Sequence, residues 1–164
     1  MPDIIVIAHN IRSTHNIGSI FRTCEGFGVN QLILSGYSPA PAWQEDSRLP
    51  HIAAKLTTQI HKTALGAEQM VPFVVCDEPP LRRLKSDGYR LVALEQSKKS
   101  ITLSSYQSPA KVALLLGEEV DGIEPKLLEL CDDILEIPMH GRKESFNVSV
   151  STGIALYQLV SAES

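Results

Sequence analysis

The sequence predicts an α/β protein whose mostly parallel sheet is covered by helices on both faces. Short apolar runs rich in Val, Ile and Leu recur along the chain, as expected of strands buried on both sides. Segments with helical apolar spacing alternate with these runs, and this alternation is typical of parallel pairing. Because 43% of the 164 residues are hydrophobic, the whole chain is expected to form one globular domain.

The first half of the chain supplies two strand–helix pairs. Strands are predicted at Asp3 to Ala8 and Gln31 to Ser35, and helices at His15 to Gly26 and Ile52 to Lys62. The first helix has an apolar stripe at i, i+3, i+4 and i+7, formed by Ile17, Ile20, Phe21 and Cys24. Its opposite side carries polar residues, among them Asn16 and Arg22, and Arg22 taken alone is a charge on a solvated helix face.

The second half continues the alternation. Strands are predicted at Val71 to Cys76, Arg90 to Leu94, from Val112 and at Ile134 to Ile137, and helices after Pro80, at Pro125 to Cys131 and at Asn147 to Val160. A polar connection is expected from Ser97 to Ala110. The last helix contains Val148, Val150, Thr152 and Gly153, all poor helix formers, so burial must stabilise it.

Two polar signatures interrupt the apolar last third of the chain. The first, Leu114 to Gly122, changes abruptly from leucines to glycine and carboxylates. In the second, Ile137 to Ser149, a proline ends a strand and a polar loop leads into a helix, with Ser145 as the predicted N-cap. Ligands of open α/β sheets bind at the carboxyl ends of strands. Both signatures are therefore expected to border a pocket for a small polar ligand.

Composition argues against several classes of protein. There is no apolar window long enough to span a membrane and no charged segment before the first strand, so we expect no membrane span or signal peptide and a cytoplasmic location. The widely separated Cys24, Cys76 and Cys131 favour buried thiols over disulfides, and the histidine spacing suggests no metal site. With a formal net charge of −4, any nucleic-acid-binding surface must be local.

Three segments of the sequence resemble the SpoU/TrmH family of SPOUT methyltransferases, and the resemblance extends over essentially the whole chain. The family's first motif is matched by Asn16, Arg22, Thr23 and Cys24. The second is matched by Leu116, Gly117, Glu119 and Gly122. The third is matched by Ile137, Pro138, Met139, Gly141 and the run from Ser145 to Ser149, with Phe146 where leucine is usual. Glu95, Gln96 and Ser97 resemble a further wall of the family's cofactor pocket.

The resemblance implies transfer of a methyl group from S-adenosylmethionine to a ribose 2′-hydroxyl of RNA, without a metal. It also implies a deep trefoil knot, with knot and cofactor pocket in about residues 90–160 of a single domain that spans 1–164 and has no separate RNA-binding domain. General chain rules alone argue against a knot. Members of the family are typically dimers in which the arginine of one subunit meets the cofactor of the other, so a homodimer is expected.

The resemblance also assigns residues to the site. The expected catalytic group is Arg22, Asn16, Glu119, Ser145 and Asn147. The expected cofactor-binding group is Leu94, Leu116, Gly117, Ile137, Met139 and Val148. The bases expected to contact RNA are Arg12, Arg48, Arg142 and Lys143. Because arginine has a pKa above about 12, we expect Arg22 to orient the substrate rather than to act as a base.

Two alternatives remain at this stage. One is a non-catalytic module of the same fold that binds RNA or an adenosine ligand. The other is a methyltransferase acting on a base nitrogen, for which a different polar set, commonly with an aspartate as base, is expected. The absence of a separate RNA-binding domain and of a basic tail favours tRNA over ribosomal RNA as the substrate. The nucleotide is not indicated by the sequence.

Overall fold

A computed structural model describes residues 1–162 of the chain. Its strands are β1 (Asp3–His9), β2 (Gln31–Ser35), β3 (Phe73–Cys76), β4 (Arg90–Leu94), β5 (Ile101–Thr102), β6 (Lys111–Leu116) and β7 (Asp133–Glu136). Its α-helices are α1 (Thr14–Gly26), α2 (Pro50–Ala64), α3 (Leu81–Ser86), α4 (Pro125–Leu128) and α5 (Val148–Ser161).

The strands form one parallel sheet in the order β3-β2-β1-β6-β4-β7-β5. Because all strands run the same way, their carboxyl ends meet at one edge of the sheet. The central strand β6 lies between β1 and β4, and β4 lies between β6 and β7. The loops after β4, β6 and β7 are therefore neighbours in space, although about 40 residues separate the first from the last.

Helices cover both faces of the sheet, as the sequence predicts. Alternate residues of a strand belong to different apolar clusters: Ile4 and Val6 belong to the cluster that contains residues of α1, α2 and α5. Ile5 and Ile7 belong to the cluster that contains residues of α3 and α4. This alternation is the period of a strand buried on both sides.

Helix α1 confirms the predicted apolar stripe, because Ile17, Ile20, Phe21 and Cys24 are all fully buried. Ser13 caps the helix by accepting a hydrogen bond from the backbone N–H of Asn16 at 3.1 Å. The stripe belongs to the apolar cluster that also contains residues of β1, β2, α2 and α5, and Arg22 on the other side of the helix is exposed.

Helix α5 is stabilised by burial, as its poor helix propensity requires, with Thr152, Ala155, Leu156 and Leu159 buried. The prediction that Ser145 caps this helix is wrong. Asn147 is the cap, since its Oδ1 accepts hydrogen bonds from the backbone N–H groups of Ser149 at 2.9 Å and Val150 at 3.4 Å.

The segment 97–110, predicted to be a polar connection, contains secondary structure and buried apolar residues. It contains β5 and a 3-10 turn at Leu103–Ser105, and it buries Leu103 and Tyr106. A two-residue strand is too short to show an alternating pattern. Helix α4 ends at Leu128, three residues before the predicted end at Cys131. No helix within 1–162 is both long and apolar enough to cross a membrane.

Candidate active site at the carboxyl edge of the sheet

A cavity of about 460 Å³ lies at the carboxyl edge of the sheet. Its walls are the ends of β4 and β7, the loop after β6, and the loop that leads into α5. Leu94, Leu116, Ile137 and Val148 supply apolar lining. A concave site of this volume is typical of a small-molecule pocket.

The loop after β6 folds back on itself so tightly that glycine is required within it. A Cβ atom on Gly117 would lie 2.4 Å from Ile123 Cγ1 and 2.7 Å from the Ile123 backbone nitrogen. The backbone N–H of Gly122 donates to the Glu118 carbonyl at 2.9 Å, and Gly122 itself has a φ of 70°. This turn forms one wall of the cavity and holds Glu119 at its rim.

Three polar side chains from distant parts of the sequence form a hydrogen-bonded relay beside the cavity. Asn147 Nδ2 donates to Asn16 Oδ1 at 3.1 Å, and Asn16 Nδ2 donates to Glu119 Oε1 at 3.1 Å. The relay joins the N-terminus of α5, the first turn of α1 and the loop after β6. Within residues 1–162, the second carboxylate oxygen of Glu119 has no hydrogen-bond partner.

The direction of the relay is set by helix α5. Because Asn147 Oδ1 is used as the helix cap, its amide NH₂ must point away from the helix, toward Asn16. Asn16 must then accept with its oxygen and donate with its nitrogen, so that it donates to Glu119. Glu119 is thus the acceptor at the end of an oriented chain of amides.

The cavity lining is strongly acidic. The lining contains no Lys or Arg. It contains six carboxylates: Glu95, Glu118, Glu119, Asp121, Glu136 and Glu144. Arg12 lies close enough to Glu118 and Glu119 for their charges to act on it, and its guanidinium lies 5.4 Å from the centroid of the Tyr37 ring. Hydrogen bonding to Tyr37 raises the pKa of Arg12, and the charges of Glu118 and Glu119 raise it further. The cavity therefore suits a positively charged ligand, with a cation at its rim for an anionic one.

The model of the SpoU rRNA methylase family matches residues 3–157. The chain belongs to this family. Over 159 residues it is 31% identical to the tRNA (guanosine(18)-2′-O)-methyltransferase of Aquifex aeolicus, a match that covers 95% of this chain and 68% of that enzyme. It is also 33% identical over 157 residues to a 23S rRNA (guanosine-2′-O-)-methyltransferase of Neisseria meningitidis, covering 94% of this chain and 57% of that one.

Solved structures agree with the SpoU family fold. The A. aeolicus TrmH/SpoU tRNA modifying enzyme superposes with a TM-score of 0.80 at 29% identity, over 99% of this chain and 76% of that chain. The AdoMet-bound rRNA methyltransferase of Sinorhizobium meliloti superposes with a TM-score of 0.78 at 22% identity, over 96% of this chain and 55% of that chain. At 22% identity, the similarity to the S. meliloti structure shows a shared fold only.

Most of the residues assigned by the SpoU resemblance meet at the cavity. Its lining contains Leu94, Leu116, Gly117, Glu119, Ile137, Ser145 and Val148. Asn16 and Asn147 join it through the relay. Met139, predicted to bind the cofactor, is half-buried and is not part of the lining.

Arg22 is not brought to the cavity of its own subunit. It is exposed on α1, outside the cavity lining, and makes no hydrogen bond or ion pair within the described part of the chain. Six residues along a helix separate it from Asn16, which is about 9 Å of rise and about 120° of rotation.

The predicted RNA contacts differ in how free they are. Arg48 is committed to its own loop: its guanidinium donates to Asp46 at 2.7 Å and to the Ala40 carbonyl at 2.9 Å, and it stacks 4.6 Å from the Trp43 ring centroid. This contradicts a role for Arg48 as a free RNA-facing base. Arg142 and Lys143 are exposed in the loop before α5 and have no ion-pair partner among residues 1–162.

Sequence reasoning noted Glu95 and Gln96 as a pocket wall but gave them no duty. In the structure both contact the SpoU motif loops: Glu95 Oε2 accepts from the Ile123 backbone N–H at 2.9 Å, and Gln96 Nε2 donates to the Glu144 carbonyl at 2.8 Å. Their position directly after a buried strand was the available signal.

Among residues 1–162, no group of three or more His, Cys, Asp or Glu side chains could hold a metal ion.

Proposed function

We propose that this protein transfers a methyl group from S-adenosylmethionine to a ribose 2′-hydroxyl of RNA. The observation that carries the proposal is the oriented relay from Asn147 through Asn16 to Glu119, at the rim of a cavity bordered by the SpoU motifs. A module that only binds RNA or an adenosine ligand needs no group to take up a proton, whereas methyl transfer to a hydroxyl does. The relatives named above are 2′-O-methyltransferases of tRNA and ribosomal RNA.

The residues present fit S-adenosylmethionine. The cofactor carries a net positive charge through its sulfonium, and the cavity lining carries six carboxylates without a cation. Leu94, Leu116, Ile137 and Val148 give the apolar surface that an adenine ring requires, and Gly117 allows close approach to the backbone. When bound, the cofactor would supply the methyl group: the bond from the 2′-oxygen to the methyl carbon would form as the carbon–sulfur bond breaks, and S-adenosylhomocysteine would leave as a neutral thioether.

The side chains around the cavity position the ribose and accept its proton. The free carboxylate oxygen of Glu119 faces outward from the relay, and we assign it the proton that leaves the 2′-hydroxyl, directly or through water. Ser145 and Asn147 border the same space and orient the sugar. Arg22 binds the adjacent phosphate, since a guanidinium matches phosphate geometry and stays charged. Positioning supplies much of the rate.

The homodimer belongs to this proposal. Helix α5 exposes an apolar stripe at i, i+4 and i+7, with Val150 50%, Ile154 38% and Tyr157 64% exposed. A stripe of this kind supports a helix-mediated interface beside α1. In such a dimer Arg22 of one subunit serves the cavity of the other, which accounts for its lack of partners in a single chain.

We further infer the knot and the cellular setting. The neighbouring loops after β4, β6 and β7 form the region, about 90–160 of the single domain 1–164, in which we place the trefoil knot and the cofactor. tRNA is the favoured substrate, because the A. aeolicus relative is named for a tRNA guanosine and the match covers most of both chains. Arg12, Arg142 and Lys143 are assigned to the RNA backbone, and a cytoplasmic location follows from this substrate.

Calorimetric titration of S-adenosylmethionine tests the cofactor assignment with two matched glycine variants. Gly117→Ala places a Cβ atom 2.4 Å from Ile123 and is expected to weaken or abolish binding, whereas a Cβ atom on Gly141 meets nothing within 4 Å, so Gly141→Ala is expected to bind like wild type. Equal binding by both variants, or no binding by the wild-type protein, contradicts the proposed pocket.

A further inference from the structure

Two adjacent side chains at the end of β4 contact the two loops that border the cavity. We infer that Glu95 and Gln96 are positioning residues that fix the distance between these loops. Glu95 holds the loop after β6, and Gln96 holds the loop before α5. The inference rests on the proposed function, because its importance lies in the cofactor cavity and the relay that the loops form.

The Glu95 carboxylate is held by backbone donors on both oxygens. Oε2 accepts from the Ile123 N–H at 2.9 Å, and Oε1 accepts from the Gln96 N–H at 2.9 Å. The backbone N–H of Glu95 itself donates to the Leu135 carbonyl of β7 at 2.9 Å. Charge-assisted bonds of this kind are among the stronger hydrogen bonds in proteins. The backbone donors on both oxygens fix the orientation of the Glu95 carboxylate.

The same carboxylate explains why the second motif ends in glycine. A Cβ atom on Gly122 would lie 2.1 Å from Glu95 Oε2, and Gly122 has a φ of 70°, which disfavours any other residue. The Glu95 carboxylate therefore occupies the space that a side chain at position 122 would need. We call this contact between Glu95 and Gly122 the lock. The lock closes the turn that carries Glu119.

Gln96 performs the corresponding task on the opposite wall. Its Nε2 donates to the Glu144 carbonyl at 2.8 Å, three residues before Asn147. Loop 138–147 is otherwise exposed along most of its length. The two ends of the relay, Glu119 and Asn147, therefore lie on loops that are both fastened to the end of one buried strand. This arrangement sets their separation without contact between Glu95 and the reacting atoms.

Hydrogen exchange tests the lock without any ligand. In Glu95→Ala, the Ile123 amide loses its acceptor and is expected to exchange about tenfold faster than in the wild-type protein, with Glu95→Gln between the two because it keeps one acceptor oxygen. Amides of β1, such as that of Val6, serve as an internal control and are expected to be unchanged. An Ile123 amide that exchanges equally in Glu95→Ala and wild type overturns the inference.

Cofactor titration and turnover then test its consequence. Glu95→Ala and Gln96→Ala are each expected to weaken S-adenosylmethionine binding and to lower kcat, by up to about 100-fold if the loops shift by an ångström. Gly122→Ala both meets Glu95 Oε2 and strains a backbone with a φ of 70°, and only the first cost depends on Glu95. Adding Gly122→Ala to Glu95→Ala is therefore expected to cost less than adding it to the wild-type protein. Additive losses, or unchanged binding and turnover in Glu95→Ala and Gln96→Ala, overturn it.

Cofactor binding and the Glu95–Ile123 contact can fail separately. If the Ile123 amide responds to Glu95→Ala but the wild-type protein does not bind S-adenosylmethionine, the proposed function fails and the lock stands as a structural feature only, which overturns its positioning role. If the wild-type protein binds the cofactor and neither the Ile123 amide nor the affinity responds to Glu95→Ala, the inference fails and the proposed function stands.

Discussion

The side chain of Asn147 has two roles: its Oδ1 caps helix α5, and its Nδ2 donates to Asn16 in the site. A substitution can remove the second role and keep the first. Aspartate caps helices as well as asparagine does, but it cannot donate to Asn16. Asn147→Asp is therefore expected to keep Tm close to that of the wild-type protein and to lower kcat by about 100-fold. Thermal melting and single-turnover kinetics measure the two effects. A large fall in Tm with normal turnover of the folded enzyme would contradict the relay.

Arg12 and Arg48 have different surroundings, and a comparison of the two tests which arginine contacts RNA. Arg12 is exposed at the cavity rim, while Arg48 holds its own loop through Asp46 and the Ala40 carbonyl. Arg12→Gln is expected to raise the KM for RNA several-fold with Tm unchanged, and its binding is expected to depend less on salt. Arg48→Gln is expected to lower Tm by a few degrees with little change in KM. The reverse pattern would assign RNA binding to Arg48.

At the residue scale, motif matching was more informative than local chemistry. Asn16, Glu119 and Asn147 lie far apart in the sequence, and only the resemblance to SpoU enzymes predicted that they belong to one site. The sequence could not show that the Arg48 guanidinium is held by its own loop. It donates to the backbone carbonyl groups of Ala40 and Pro41, and their positions depend on the fold. Ser145 was a reasonable cap by residue type, but Asn147 is nearer to the first free N–H groups of α5.

At the scale of the elements, an ion pair links strands β7 and β4, and it makes the stability of the protein depend on pH. Arg90 donates to Asp133 at 2.6 Å and Tyr106 donates to the same carboxylate at 2.7 Å. The bond from Arg90 is the main cause that holds the pKa of Asp133 below its ordinary value near 3.8. A depressed carboxylate pKa contributes stability above the ordinary pKa, and the contribution is lost as the pH falls through the lowered value.

Asp133→Asn is therefore expected to cost about 1–2 kcal/mol of unfolding free energy at pH 7. The difference from the wild-type protein is expected to shrink below a pH of about 4, where both proteins are weakened. Denaturant unfolding at pH 7 and at pH 3 measures this difference. A difference that stays constant over that range would show that the ion pair does not stabilise β7.

The elements were predicted in proportion to their length and periodicity. β4 was predicted with its observed bounds, and α1 to within one residue, because each has a clear apolar pattern and a glycine or polar boundary. β5 was missed because pairing with β7, rather than its own two residues, makes it a strand. The order in which β6 inserts between β1 and β4 depends on long-range packing that periodicity does not report.

At the scale of the whole molecule, the position of Arg22 leads to a prediction about assembly. If Arg22 of one subunit completes the site of the other, Arg22→Ala and Asn147→Ala proteins are each inactive, but mixing them restores activity. After subunit exchange at equal concentrations, about a quarter of all sites combine an intact Arg22 with an intact Asn147, given a symmetric dimer. No recovery in mixed dimers, or a fully active monomer in sedimentation, would contradict a shared site.

The atom that receives the methyl group distinguishes a ribose 2′-O-methyltransferase from an enzyme that methylates a base. The most direct measurement incubates the protein and S-adenosylmethionine with total RNA from a strain of its source organism that lacks the gene, then identifies the modified nucleoside by mass spectrometry. We expect one new 2′-O-methylated nucleoside, in tRNA, that Asn147→Asp forms about 100-fold more slowly. A methyl group on a base, or no transfer to any RNA of that strain, would contradict the account.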